Sequence, residues 1–202
     1  MRRVLSIARR RHFSRHEVVF HRDDPGDSLH LVSKGRFAIR IMTRLGDTVT
    51  IAVRGPGDSF GEMALISGGS RRSATVAALE DAETFAVYAP EFESLRKEHP
   101  SVNEVLIAFL ADEVRRQNER LLEALYMPVE GRILRRLAEL AELYADREAL
   151  IPLTQEELAE MAGTSRATVN SVLREEQQRG TVELRRGKVL VLDAEEIARR
   201  AR

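Results

Sequence analysis

The hydrophobic period changes once along this chain, and that change confines the fold. From Glu17 to Val87 the apolar residues come in short, partly alternating runs, whereas beyond Ala89-Pro90 they recur at steps of three and four. The first texture belongs to strands and the second to helices. Val18-Val19-Phe20, Leu29-His30-Leu31-Val32, Phe37-Ala38-Ile39-Arg40-Ile41 and Val49-Thr50-Ile51-Ala52-Val53 are the candidate strands. Between them stand Asp23-Asp24-Pro25-Gly26-Asp27, Lys34-Gly35, Leu45-Gly46-Asp47 and Gly55-Pro56-Gly57-Asp58. These are turns by chemistry: glycine supplies positive φ, proline fixes φ, and aspartate bonds back to its own backbone. Short strands at this regular spacing predict a β-sandwich or jelly roll. An α+β chain with its strands first and its helices after follows.

Pro90-Glu91-Phe92-Glu93-Ser94-Leu95 opens the helical part, with proline in the first turn and acids near the positive end. His99-Pro100-Ser101 interrupts it. A long helix is expected from about Ser101 to about Met127, stopped by Pro128. Along it Ile107, Leu110, Val114, Gln117, Leu121 and Ala124 alternate steps of three and four. That is the seam of a two-stranded coiled coil, too long to serve only as a lid on the strands, so a homodimer is expected. Gln117 is polar within the seam, a device that fixes register.

The last third carries a second signature. Thr154 followed by Glu157 is a capping box, and Leu158, Ala159 and Ala162 form the inner face of a short helix. Gly163 ends that helix. Ser165 caps the next, whose inner face is Val169, Val172 and Leu173. Two short helices joined by a glycine turn make a helix-turn-helix, whose second helix enters the major groove of double-stranded DNA. Arg166 has the fork for a guanine and Asn170 the amide for an adenine; Ser165, Thr168 and Arg174 suit phosphates. Ser171 shares their outward face, and Thr154 heads the preceding helix. Val182 to Leu192 reads as a hairpin whose tip presents Arg186 and Lys188 to phosphate. The candidate DNA-binding set is therefore Thr154, Ser165, Arg166, Thr168, Asn170, Ser171, Arg174, Arg186 and Lys188.

Between the strands and the long helix lies Gly61-Glu62-Met63-Ala64-Leu65, followed after a Gly-rich loop by Arg72-Ser73-Ala74-Thr75-Val76. Gly61 permits close backbone approach, and free amides after it make an anion site. Arg72 adds a planar fork of donors and Ser73 a hydroxyl. Ionised Glu62 only accepts hydrogen bonds, so it suits a sugar hydroxyl. A sugar phosphate fits this combination.

These two segments resemble the phosphate-binding cassette of the cyclic-nucleotide-binding domain. With the helix-turn-helix they identify the chain as similar to the CRP/FNR family of transcription regulators, on its cyclic AMP receptor branch. The resemblance covers nearly the whole chain. It implies an eight-strand jelly roll over residues 1–100, a dimerisation helix over 101–128 and a winged helix-turn-helix domain over 129–202. It also implies cyclic AMP as effector, held by Gly61, Glu62, Met63, Ala64, Arg72 and Ser73, with Gln117 and Asn118 against the base. At those last two positions cyclic AMP receptors carry small hydroxyl residues; here two amides stand, able to pair with an adenine edge. Ala167 and Ser171 replace a base-reading Glu and a second Arg, so the operator is expected to keep the guanine read by Arg166 and to differ beside it.

Formal net charge is +0, so any basic DNA face is local. The chain has no cysteine, which excludes disulfides, thiolate zinc sites and cysteine-bound iron–sulfur clusters. No apolar run reaches membrane-spanning length, and a cytoplasmic protein without membrane attachment is expected. His12 and His16 would share a helix face but lack a third ligand, and His21 and His30 do not form a metal cluster. With no catalytic constellation visible, an enzyme is not expected. Two regulator readings remain: a homodimer that binds pseudo-palindromic promoter sites and engages RNA polymerase under cyclic AMP control, or a ligand-independent CRP/FNR-type activator with a vestigial pocket.

Overall fold

The computed structural model describes residues 7–66 and 71–201. The chain forms two compact units, Met1–Arg116 and Gln117–Arg202.

The first unit is a sandwich of two four-stranded antiparallel sheets. Its strands are β1 (Arg9–Phe13), β2 (Val18–Phe20), β3 (Ser28–Lys34), β4 (Phe37–Met42), β5 (Thr48–Arg54), β6 (Ser59–Phe60), β7 (Thr75–Ala78) and β8 (Ala82–Tyr88). One sheet runs β1-β8-β3-β6 and the other β2-β7-β4-β5. Neighbours that are distant in sequence, such as β3 beside β8, give the crossed connections of a jelly roll. Phe13, Val32, Phe37, Phe60, Val76, Ala78 and Ala82 make the core. Phe37 meets Phe13 edge-on at 5.7 Å and Phe60 at 5.0 Å between ring centroids. Each such ring buried contributes about 1.5–3 kcal/mol. The turn between β3 and β4 depends on Gly35, at φ +75°, where an added Cβ would stand 2.6 Å from the Ala82 Cβ.

The N-terminus corrects one expectation. The segment around His12, which lies outside the candidate strands named from the sequence, is β1, paired to β8 from Arg9↔Ala86 to Phe13↔Ala82. The free edge of β8 supplies a backbone ladder that no local periodicity announces. His12 lies in that strand, and His16 stands in a turn at φ +66°, so the two do not share a helix face.

The helices α1 (Glu62–Ile66), α2 (Ala89–Glu98) and α3 (Ser101–Tyr126) complete or leave this unit. Phe92 of α2 buries against Leu29, Leu65 and Val87, with Leu106 of α3 beside them. The unit boundary falls within α3. Along the helix Ile107, Val114, Leu121 and Leu125 remain 67, 60, 58 and 64% exposed.

In the second unit α4 (Val129–Leu143) buries Ile133, Leu134, Leu137, Leu140 and Ala141. It is followed by β9 (Leu150–Ile151), α5 (Gln155–Ala162), α6 (Arg166–Arg179), β10 (Val182–Arg185), β11 (Lys188–Val191) and α7 (Ala194–Arg200). The three strands order as β10-β11-β9. The local signals act as expected. Thr154 and Glu157 form a reciprocal capping box. Gly163 turns in the left-handed region at φ +62°, and Ser165 accepts from the Thr168 amide. The tail helix is anchored by Ile197, which is wholly buried.

Candidate functional site

The cassette is built around Arg72, which is 3% exposed. Nη1 donates to the carbonyl oxygens of Ser28 at 2.6 Å and Gly61 at 3.0 Å. Nη2 donates to Asp27 Oδ1 at 3.1 Å and Ser28 Oγ at 2.9 Å. The guanidinium lies 4.0 Å over the Phe20 ring. The backbone is pinned as well, by Arg72 N to Asp24 O and Asp23 N to Arg72 O, each 2.9 Å. Burial pulls the Arg72 pKa down while Asp27, close by, pulls it back. Nε is buried without a hydrogen-bond partner.

Gly61, at φ +87°, has a purpose the sequence did not disclose. A Cβ there would stand 2.7 Å from Arg72 Nη1 and 2.9 Å from the Ser28 carbonyl. The residue makes room for the arginine, whatever else approaches it. Glu62 follows at the head of α1. Burial raises its carboxyl pKa, opposed by its backbone hydrogen bond and by the charge of Arg54, with Glu113 pushing it up again. Met63 is exposed, and its sulfur lies 3.7 Å from the Ser73 hydroxyl. Ala64 turns its methyl into the core. The Gly-rich part of the loop, residues 67–70, lies outside the described residues. Gln117 and Asn118 are exposed on α3, at the start of the second unit.

Sequence reasoning missed the residues that hold Arg72: Phe20, Asp27 and Ser28. His30 joins them. Its ring stacks on Phe60 at 5.0 Å and 6°, with Nδ1 3.0 Å from Thr84 Oγ1 and Nε2 3.3 Å from Ser28 Oγ. Burial first, then the charges of Arg72 and Arg11, lower its pKa to about 4, so the ring is neutral at neutral pH. A cavity of about 360 Å³ opens among Arg11, Phe20, Asp27, His30, Arg72 and Tyr88, a volume at the lower end for small-ligand sites.

The second candidate surface lies on the helix-turn-helix. Arg166, Ser171, Arg174, Arg186 and Lys188 are exposed, while Thr168 and Asn170 are half-buried. Ser165 Oγ lies 2.9 Å from Thr168 Oγ1 and also caps α6 by accepting from the Thr168 amide at 3.2 Å. Asn170 Oδ1 accepts from Gln155 Nε2 at 3.2 Å, which fixes the orientation of its amide. A groove of about 580 Å³ brings Thr154, Gln155 and Arg166 together with Arg186 and Lys188 of the hairpin. Gln155, absent from the expected set, is the member that joins the head of α5 to α6.

A sandwich with a buried cassette arginine and a domain with a cationic groove define a regulator that reads a small ligand and DNA. The comparisons with known proteins agree. The model of the cyclic nucleotide-binding domain matches residues 10–99, and that of the Crp-like helix-turn-helix domain matches residues 131–200. The chain belongs to the CRP/FNR family of transcription regulators. It is 36% identical over 201 residues, 96% of this chain and 90% of the relative, to the cyclic AMP receptor protein of Thermus thermophilus. It is 32% identical over 195 residues, 94% of this chain and 87% of the relative, to a CRP-like cAMP-activated global transcriptional regulator of Mycobacterium tuberculosis. The solved structure of the c-di-GMP responsive global regulator CLP of Xanthomonas campestris shares the fold. That match has a TM-score of 0.78 at 22% identity and covers 94% of this chain and 96% of that one. These relatives are transcription regulators, not enzymes, and no helix among the described residues is long and apolar enough to cross a membrane.

Proposed function

We propose that this protein is a homodimeric, cytoplasmic transcription regulator whose affinity for pseudo-palindromic promoter DNA is set by cyclic AMP and which acts through RNA polymerase. The observation that carries the ligand half is Arg72: a guanidinium withdrawn from water, with one nitrogen unmatched, directly beneath Gly61 and close to the carboxylate of Glu62. A cyclic phosphate offers the acceptors that Nε lacks, and its ribose hydroxyl offers the donor that Glu62 accepts. Met63 and Ala64, through their backbone amides, and Ser73, through its hydroxyl, are the further groups assigned to the phosphate, and Gln117 and Asn118 supply amides to the base. On DNA, Arg166 reads a guanine and Asn170 an adenine. Thr154, Ser165, Thr168, Ser171, Arg174, Arg186 and Lys188 hold backbone positions. Nucleotide bound in the barrel favours one arrangement of the paired helices and so the spacing of the two recognition helices.

One observation favours the second reading, a ligand-independent activator with a vestigial pocket: the terminal nitrogens of Arg72 are already satisfied by Ser28, Gly61 and Asp27. A phosphate has to displace these partners to gain the fork. Calorimetry with cyclic AMP, cyclic GMP and cyclic di-GMP, with and without a duplex obtained by binding-site selection, separates the readings. Saturable cyclic AMP binding that tightens on the duplex supports the first. Duplex binding with no heat from any nucleotide establishes the second.

A further inference from the structure

Thr84, His30, Ser28, Asp27 and Arg72 form one run of hydrogen bonds beneath the cassette. Thr84 is wholly buried, His30 and Ser28 are each 5% exposed, and Arg72 is as closed off. Buried polar groups need matched partners, so each proton in the run has to be placed. The Asp27 carboxylate, paired with Arg72, only accepts, and the Ser28 hydroxyl donates to it at 2.8 Å. The Arg72 guanidinium only donates, so Ser28 Oγ accepts from Nη2. A serine hydroxyl has one proton and two lone pairs. The lone pair left over faces His30 Nε2 at 3.3 Å, and that nitrogen has to carry a hydrogen to fill it. The ring is neutral, so Nδ1 is bare and accepts from the Thr84 hydroxyl at 3.0 Å. Aromatic neighbours clamp the ring in this orientation. It stacks on Phe60, and its centroid lies 6.2 Å from that of Phe13 and 6.1 Å from that of Phe20.

We propose that His30, as its Nε2–H tautomer, is the positioning residue that sets the Ser28 hydroxyl and, through it, holds the Arg72 guanidinium in the pose offered to a phosphate. This rests on the reading of the pocket as a cyclic-nucleotide site. The Nε2–H donor fills the second lone pair of Ser28 and leaves the serine proton no acceptor but Asp27. In the other tautomer a bare Nε2 competes with Asp27 for that proton. Ser28 then turns from the carboxylate that pairs with Nη2, and the guanidinium loses one of its fixed points. Thr84, on β8, supports the first tautomer by donating to Nδ1. His30 touches Ser28 and not the ligand, so its effect on phosphate is indirect.

The test has two readouts on the full chain. Long-range proton–nitrogen spectra with isotope-labelled histidine report which ring nitrogen is protonated, and the His30 signals are those lost in His30→Gln. At neutral pH they are expected to show Nε2 protonated and Nδ1 bare. The second readout is calorimetry with cyclic AMP. His30→Phe keeps an aromatic ring against Phe60 but no donor, and is expected to weaken binding about two- to tenfold, one hydrogen bond's worth. His30→Gln places an amide donor where Nε2 stood and is expected to bind close to the wild type, although it lacks the ring. A purely structural role predicts the reverse order, since the phenylalanine variant packs better. The tautomer is read on the wild-type chain and so decides even where His30→Phe does not fold. A ring protonated on Nδ1, wild-type affinity in His30→Phe, or weaker binding by His30→Gln than by His30→Phe overturns the positioning role alone. A wild-type chain that binds no cyclic AMP overturns the pocket reading and this inference with it.

Discussion

Arg72 carries two jobs that pull in different directions. It ties β3 to the cassette through Ser28 and Asp27, and in the function proposed above it is also the group offered to a phosphate. Substituting Arg72→Lys keeps a charge but loses the fork, leaving acceptors on Ser28 and Gly61 unmatched. A stability loss of about 1–3 kcal/mol is expected from urea unfolding, together with cyclic AMP affinity lower by about tenfold, one bidentate contact's worth. A variant that loses affinity with unchanged stability would show that the ties to Ser28 and Asp27 contribute nothing. His30 makes a separate prediction. Its pKa is about 4 in the folded chain against an ordinary 6.5. Between those values the unfolded chain takes up a proton that the folded chain refuses, so stability falls as pH drops from about 6.5 towards 4. The loss reaches roughly 3 kcal/mol at the lower end. His30→Gln should flatten that part of the pH–stability curve, and an unaltered slope would place the titrating group elsewhere. The sequence pointed to Arg72 by its residue type and its place in the cassette. Its partners were not legible there, because Ser28 lies 44 positions away and becomes adjacent only when β3 packs beneath the cassette.

Elements whose signals are local were read well from sequence. The capping box of α5, the left-handed turn at Gly163 and the Ser165 cap of α6 each depend on residues within one helical turn. β1 was not, because an arginine-rich segment has no strand period of its own and is a strand only by pairing with β8. The end of α6 shows the same limit. Glu176 is wholly buried, and its carboxylate receives Thr181 Oγ1 at 2.8 Å and Arg179 at 3.0 Å, and is also met by Arg200 of α7. Burial pushes its pKa up, but these hydrogen bonds and the Arg200 charge outweigh it and hold the group ionised. Glu176→Ala is expected to destabilise the second unit by about 2–3 kcal/mol, below the 3–5 of a fully buried pair because Arg179 and Arg200 keep access to water. Urea unfolding followed by circular dichroism checks this, the transition of the second unit moving to lower urea.

At the scale of the molecule, an apolar stripe of α3 stands exposed among the described residues. Ile107, Val114, Leu121 and Leu125 lie at heptad-like spacing, and pairing two such helices is the economical way to cover them. Leu121→Glu places two carboxylates in that seam and is expected to yield a monomer in sedimentation at micromolar concentration, with operator affinity lost alongside. A dimer that persists would move the interface off α3. For the proposed dimer, footprinting should find two half-sites about 34 Å apart, one turn of DNA. The sequence by itself determined the passage from strands to helices, the turns and the caps. Each of those follows from backbone preference and side-chain chemistry over a few neighbouring positions. Only the tertiary structure decided that Gly61 makes room for Arg72, that β1 is a strand, and that Arg54 meets Glu113 across 59 positions. Steric exclusion, backbone pairing and charge act between groups near in space, and nearness in space is what folding adds to a chain.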